Sequence, residues 1–202
     1  MSSDLCVLAE KYGVDKCPTF LHSYTPHYNT LLNPLRSSIN CVLEIGIGNT
    51  PLMAPIVGKI YKPGASLRMW KDYFPNAQII GCDILKSVLF NDEERIHTFF
   101  VDQSQKTSLE GLMTNVKTIN QYPDLIIDDG SHIDVHQRTS FRVLWDYVRP
   151  NGGIYIIEDI SLHLFDSFSR IHLDMGFTDA ELIYKHKGNN NGNDAFVAFR
   201  KK

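Results

Sequence analysis

The chain lacks any apolar run near the ~20 residues that a membrane-spanning helix needs. No membrane span is therefore expected. It also lacks a surplus of positive charge: 20 Lys and Arg stand against 23 Asp and Glu, for a net charge of −3. No basic field exists to draw in nucleic acid or an anionic membrane surface. The opening residues MSSDLCVLAEKYG have no long apolar segment of the kind a secretory signal carries. Cysteine is scarce, and Cys6, Cys17, Cys41 and Cys82 contain no Cys-x-x-Cys spacing. Free, buried thiols without disulfides are expected, as in a reducing cytoplasmic setting. There is no internal repeat. A length of 202 residues predicts one well-cored domain.

The stretch from Asp124 to Asp159 organises what is present. Two apolar runs, 125–127 and 154–157, each end in an acidic pair: Asp128-Asp129 and Glu158-Asp159. Short apolar runs bounded by Gly, Pro and Asp read as buried strands. Between them Phe141, Leu144, Trp145 and Val148 recur at helical spacing. Strand, helix, strand implies a parallel crossover, so both acidic pairs fall on one edge of the sheet. Open α/β sheets bind ligands at that edge. Three or four carboxylates converging there, with His132 beside them, suit a hard divalent cation. Spacing alone does not choose between Asp128 and Asp129.

Taken in order, residues 3–13 read as a helix and 26–36 as a second, with an aromatic, polar segment between them. The two are expected to cap the binding edge or to pack as plain helices. Strand 1 is 41–45, followed by Gly46-Ile47-Gly48. A Gly-rich turn after an apolar strand lets a ligand approach the backbone. Glu44, an acid inside that strand, suits a site that holds an ammonium group. Residues 51–63 read as an insertion. A helix follows over 64–74, capped by Gly64 or Ser66, and its N-terminus could hold a carboxylate. Strand 2 ends at Asp83, which is placed to take ribose hydroxyls. Strand 3 runs over 96–101, and Asp102 and Gln103 after it could read an adenine edge. Ser104 and Ser108 frame a helix start, and that helix runs to about 119. One helix is expected over 161–174. Strands 180–185 and 195–200 form an antiparallel hairpin whose Asn-rich loop is a simple tip.

A mostly parallel sheet closed by such a hairpin resembles the class I S-adenosylmethionine (SAM)-dependent methyltransferases. Glu44-Ile45-Gly46-Ile47-Gly48 is similar to that family's first cofactor motif. The resemblance implies a Rossmann-like α/β fold with a seven-stranded sheet and helices on both faces. It also implies a cofactor site built from Glu44, Gly46, Gly48, Ser66, Asp83, Asp102, Gln103 and Asp128. Asp128-Asp129-Gly130-Ser131-His132 with Ile157-Glu158-Asp159 resembles the metal-dependent deoxysugar O-methyltransferases of macrolide biosynthesis, mycinamicin type. Lys11-Tyr12-Gly13, Asp15-Lys16 and the run 66–70 share that likeness. It implies Mg²⁺ on Asp129, Glu158 and Asp159, and His132 as the general base.

The expected organisation is one methyltransferase domain over 1–202, with a helical cap over 1–38 and a catalytic core over 39–202. The expected function is SAM- and Mg²⁺-dependent O-methylation of a sugar, either nucleotide-linked or part of a glycan. Methylation of a catechol or another small diol uses the same metal chemistry and remains open. A silent SAM-fold binding protein is the reading from a different class. A nicotinamide enzyme is disfavoured because Pro51 stands where its third glycine would be. His22, His27 and His163 are weaker candidates for lining an entrance, and His136 for touching substrate. The mycinamicin-type enzyme has an extra N-terminal domain that helps its oligomer form. A homo-oligomer is therefore possible here without being implied.

Overall fold

The computed structural model describes residues 3–120, 122–188 and 194–202. Seven strands form one sheet in the order β3-β2-β1-β4-β5-β7-β6. They are β1 Cys41–Ile45, β2 Gln78–Asp83, β3 Ile96–Phe100, β4 Leu125–Asp128, β5 Ile154–Ile157, β6 Ala180–Lys187 and β7 Ala195–Lys201. The first five pair in parallel, and β7 runs antiparallel between β5 and β6. The expected α/β fold class is borne out. Residues 189–193, the Asn-rich loop tip, lie outside the described residues.

The central strands are buried on both faces, which is why β1, β4 and β5 read as near-continuous apolar runs. On one face Val42, Ile79, Ile127 and Ile156 meet Leu5, Tyr28, Trp70 and Tyr73. These come from α1 Asp4–Tyr12, α2 Tyr24–Leu32 and α4 Ala65–Tyr73. On the other, Leu43, Ile80, Ile126 and Tyr155 meet Leu109, Met113, Phe141 and Leu144. Those belong to α5 Lys106–Ile119 and α6 Asp134–Leu144. All four cysteines are buried. Among the described residues no helix is long and apolar enough to cross a membrane.

Several local expectations need correction. Residues 51–63 are not a plain insertion: Thr50–Val57 form helix α3. Asn49 caps it by accepting from the Leu52 amide (3.0 Å), and Pro51 sits in the first turn, where its missing N–H costs nothing. The helix expected over 161–174 breaks into α7 Phe165–Phe168 and α8 Ile171–Asp174. Ser169 donates its hydroxyl back to the Phe165 carbonyl (2.9 Å), and Arg170 leaves helical geometry. The Ser104/Ser108 pair does not cap α5. Its first turn has no side-chain cap, and the Ser108 hydroxyl instead accepts from the Asp102 amide (3.0 Å).

Candidate active site

The C-terminal edge of the parallel strands carries two adjoining cavities, of about 480 and about 290 Å³. Both are lined by Gly46, Asp83, Ile84 and Gly130. The first is within the size range of small-ligand sites.

The Gly turn after β1 builds the shared floor. Gly46 has φ +97° and Gly48 φ +73°. A Cβ on Gly46 would strike the backbone carbonyl of Asp129, so the β1 and β4 ends touch only because the side chain is absent. Asp83 braces the turn: its carboxylate accepts from the Ile47 amide (2.9 Å) and the Leu85 amide (2.8 Å). Gly48 and Ser66 line the larger cavity. Asp102 and Gln103 line the smaller one. Asp102 is held by the Ser104 amide and hydroxyl (2.9 and 2.7 Å), which lowers its pKa.

Two cofactor-side candidates are placed behind this surface. Glu44 is fully buried; it accepts from the Ser66 hydroxyl (2.6 Å) and its other oxygen has no hydrogen-bond partner. Burial pushes its carboxyl up to about 7, despite the pull of Lys16. Asp128 is also fully buried, accepting from the Gln103 amide nitrogen (2.6 Å), and burial raises it to about 7. Gln103 in turn accepts from the Ser131 amide (2.9 Å), fixing the loop that follows β4. The neighbours Asp128 and Asp129 are thereby separated. Asp128 faces the interior, and Asp129 faces the larger cavity.

Asp129, His132 and Asp159 come together, each offering a ligand atom, with all of these atoms within 4.8 Å of one another. The imidazole bridges the two acids, Nε2 at 3.2 Å from Asp129 and Nδ1 at 3.4 Å from Asp159. Both His132 (φ 55°) and Asp159 (φ 50°) adopt left-handed backbone. Such conformations cost energy in non-glycine residues and recur at functional sites. Burial draws His132 down, but the hydrogen bond and charge of Asp129, with Asp159, push it up to about 9. Glu158 stands one layer deeper, buried, accepting from the Tyr28 hydroxyl (2.6 Å) and from Lys16 (2.6 Å). Burial raises its pKa.

The N-terminal segment completes the site. Tyr24 donates to Asp159 (2.8 Å), and His22 lies 3.7 Å from that residue and 3.2 Å from Asp194. Lys16 is buried among Asp129, Glu158 and Glu44. Sequence pattern offered His22 only as a residue lining an entrance, and it gave Lys16 and Tyr24 no role at the acids, which lie far away in the chain. The one signal was the aromatic, polar composition of 12–28. His163 and His136 do not line the larger cavity, although His136 lines the smaller one.

Five parallel strands ordered about β1, an antiparallel β7 and a Gly turn opening on an edge cavity define the class I SAM-dependent methyltransferase fold. Within that class the chain's homologues are mycinamicin-type deoxysugar O-methyltransferases. The mycinamicin VI 2''-O-methyltransferase of Micromonospora griseorubida is 43% identical over 158 residues, 78% of this chain and 36% of that protein. An 8-demethyl-8-alpha-L-rhamnosyl tetracenomycin-C 2'-O-methyltransferase of Streptomyces olivaceus is 36% identical over 170 residues, 84% of this chain and 41% of that one. The solved structure of MycE methyltransferase from the mycinamycin pathway, in complex with Mg, SAH and mycinamycin VI, superposes with a TM-score of 0.72 at 34% identity. The overlap covers 99% of this chain and 54% of MycE. The chain thus spans about two fifths of the length of these curated relatives. No protein-family model matches it.

Proposed function

We propose that this protein transfers a methyl group from SAM to a sugar hydroxyl in a reaction that needs a divalent cation. The observation that carries the reading is the continuity of the trough. The Gly46–Gly48 turn with Asp83 opens directly onto Asp129, His132 and Asp159. The named relatives act on sugar hydroxyls, and MycE was solved with Mg and SAH.

The donor set fits a hard cation: two carboxylates converge on one point beside an imidazole, with cavity space before them. Asp129 and Asp159 would hold Mg²⁺, with Glu158, which the resemblance adds, behind them. When bound, the ion would supply positive charge that stabilises a developing alkoxide and offsets the attraction keeping His132 protonated. We assign Gly46 and Gly48 to the methionine part of SAM and Asp83 to its ribose, and Asp102 and Gln103, which line the adjoining cavity, to its adenine. In its neutral form His132 takes the acceptor proton, an effect typically worth ~10²–10⁴-fold. An oxygen lone pair then forms the C–O bond as the C–S⁺ bond breaks, leaving a methyl ether and S-adenosylhomocysteine. Holding the two partners in contact supplies much of the remaining acceleration.

The mouth of the larger cavity supports a narrower statement about the acceptor. Leu21, Leu52, Ile84 and Leu85 line it and are exposed. Such a rim suits a sugar carried on an apolar body better than a charged nucleotide sugar. The same rim would accept a small aromatic diol, so the catechol reading stands as the alternative. The test is His132→Ala. Turnover should fall at least ~100-fold, while S-adenosylhomocysteine binding by calorimetry stays within a few-fold of wild type. Turnover near the wild-type value would remove His132 as the base.

A further inference from the structure

The carboxylate group carries a cation of its own. Lys16 is 2% exposed, and its ammonium donates to Asp129 Oδ2 and to Glu158 Oε2, the latter at 2.6 Å. It also lies 3.7 Å from Glu44 Oε1, the oxygen that has no hydrogen-bond partner. The chain delivers it firmly. Gly13 ends α1 in left-handed backbone (φ 66°), and the Lys16 carbonyl then accepts from the amides of Tyr24 and Thr25 (3.0 Å each). Burial works against the charge on Lys16, but the surrounding acids outweigh it and hold its pKa well above the usual value. The ammonium thus joins an acid beside the cofactor turn, Glu44, to two of the acids assigned to the metal.

We propose that Lys16 is the built-in counter-cation of the metal site, a positioning residue that holds Asp129 and Glu158 ready and keeps divalent-cation binding weak enough to exchange. This rests on the metal-dependent reading above. Carboxylates packed without a cation repel one another, so a fixed ammonium lets the site form before the metal arrives. A second cation placed against the same carboxylates is repelled by the first, and more strongly where water is excluded. Removing the ammonium should therefore tighten metal binding while it loosens the geometry that turnover needs. A residue that only stabilised the fold would weaken both.

The experiment titrates Mn²⁺, read by electron paramagnetic resonance, into wild type, Lys16→Met and Lys16→Arg, each with S-adenosylhomocysteine present. Lys16→Met should bind Mn²⁺ at least tenfold more tightly than wild type yet turn over at least tenfold more slowly. Lys16→Arg should restore Mn²⁺ affinity to within about threefold. Equal or weaker Mn²⁺ binding by Lys16→Met would overturn the proposal. Absence of Mn²⁺ binding to wild type would instead sink the metal reading on which it rests. If Lys16→Met does not fold, wild type decides. With its own counter-cation, the EDTA-treated protein should melt within about 5 °C of the Mg²⁺-loaded form, and a drop of more than about 15 °C would contradict the proposal.

Discussion

His132 shows how one residue can belong to two charge states. It sits between Asp129 and Asp159, and they push its pKa up to about 9 from the ordinary 6.5. A group raised on folding stabilises the folded state fully below its unfolded pKa, and that stability is lost as pH rises through the folded pKa. In EDTA, wild type should therefore lose stability relative to His132→Gln between about pH 6.5 and 9. Urea unfolding at the two ends of that window checks this, and parallel curves for the two proteins would refute the charge pairing. Much at this scale was legible in sequence. The acidic strand ends and His132 lie where a strand end and its following turn must place them, while only the resemblance chose Asp129 over Asp128. Lys16 was not, because its partners Asp129 and Glu158 are 113 and 142 positions away. No local period or spacing encodes such a meeting. Glu44 illustrates the reverse. Its need for an ammonium was readable, but the ammonium nearest to it is that of Lys16.

Among the elements, the strands were the clearest. β1, β4 and β5 are short apolar runs ended by glycine or acid, a pattern that burial on both faces dictates. α3 was hidden because Pro51 and Pro55 both fall within it. Proline argues against a helix, yet one occupies the first turn and the other gives up a single hydrogen bond in a helix of only 8 residues. The turn after β1 yields a contrast between two glycines. Gly46→Ala must strain a backbone at φ +97° and drive a Cβ into the Asp129 carbonyl. Asp129 cannot readily withdraw, since its amide donates to the Ile45 carbonyl (3.0 Å). A cost of about 2 kcal/mol or more is expected, read as a Tm lower by roughly 4–8 °C, together with at least tenfold weaker S-adenosylhomocysteine binding. Gly111→Ala, in α5 with open space around it, should raise stability by about 0.5–1 kcal/mol. Equal effects from the two substitutions would mean that the β1–β4 contact is not tight.

At the scale of the whole molecule, sheet order decides where chemistry can occur. β1 lies between β2 and β4, so a ligand on the Gly46 turn can reach Asp83 on one side and Asp129 on the other. The class of fold was legible from the parallel apolar strands and the closing hairpin. The cover over the site was legible only as a choice, because aromatic, polar segments serve equally as caps or as groove fillers. The structure places Tyr24 and Tyr28 in the core while their hydroxyls reach Asp159 and Glu158, so these residues do both. The account's central claim is that the Gly46 turn and the Asp129–His132–Asp159 group serve one reaction. Its most direct test is transfer of labelled methyl from SAM to a panel of acceptors, with Mg²⁺ and then with EDTA. The panel holds sugars on apolar aglycones, nucleotide sugars and catechols. Label on a glycoside hydroxyl that EDTA abolishes is the predicted result. Transfer that persists undiminished in excess EDTA would contradict the claim, as would no transfer to any acceptor by protein that binds S-adenosylhomocysteine.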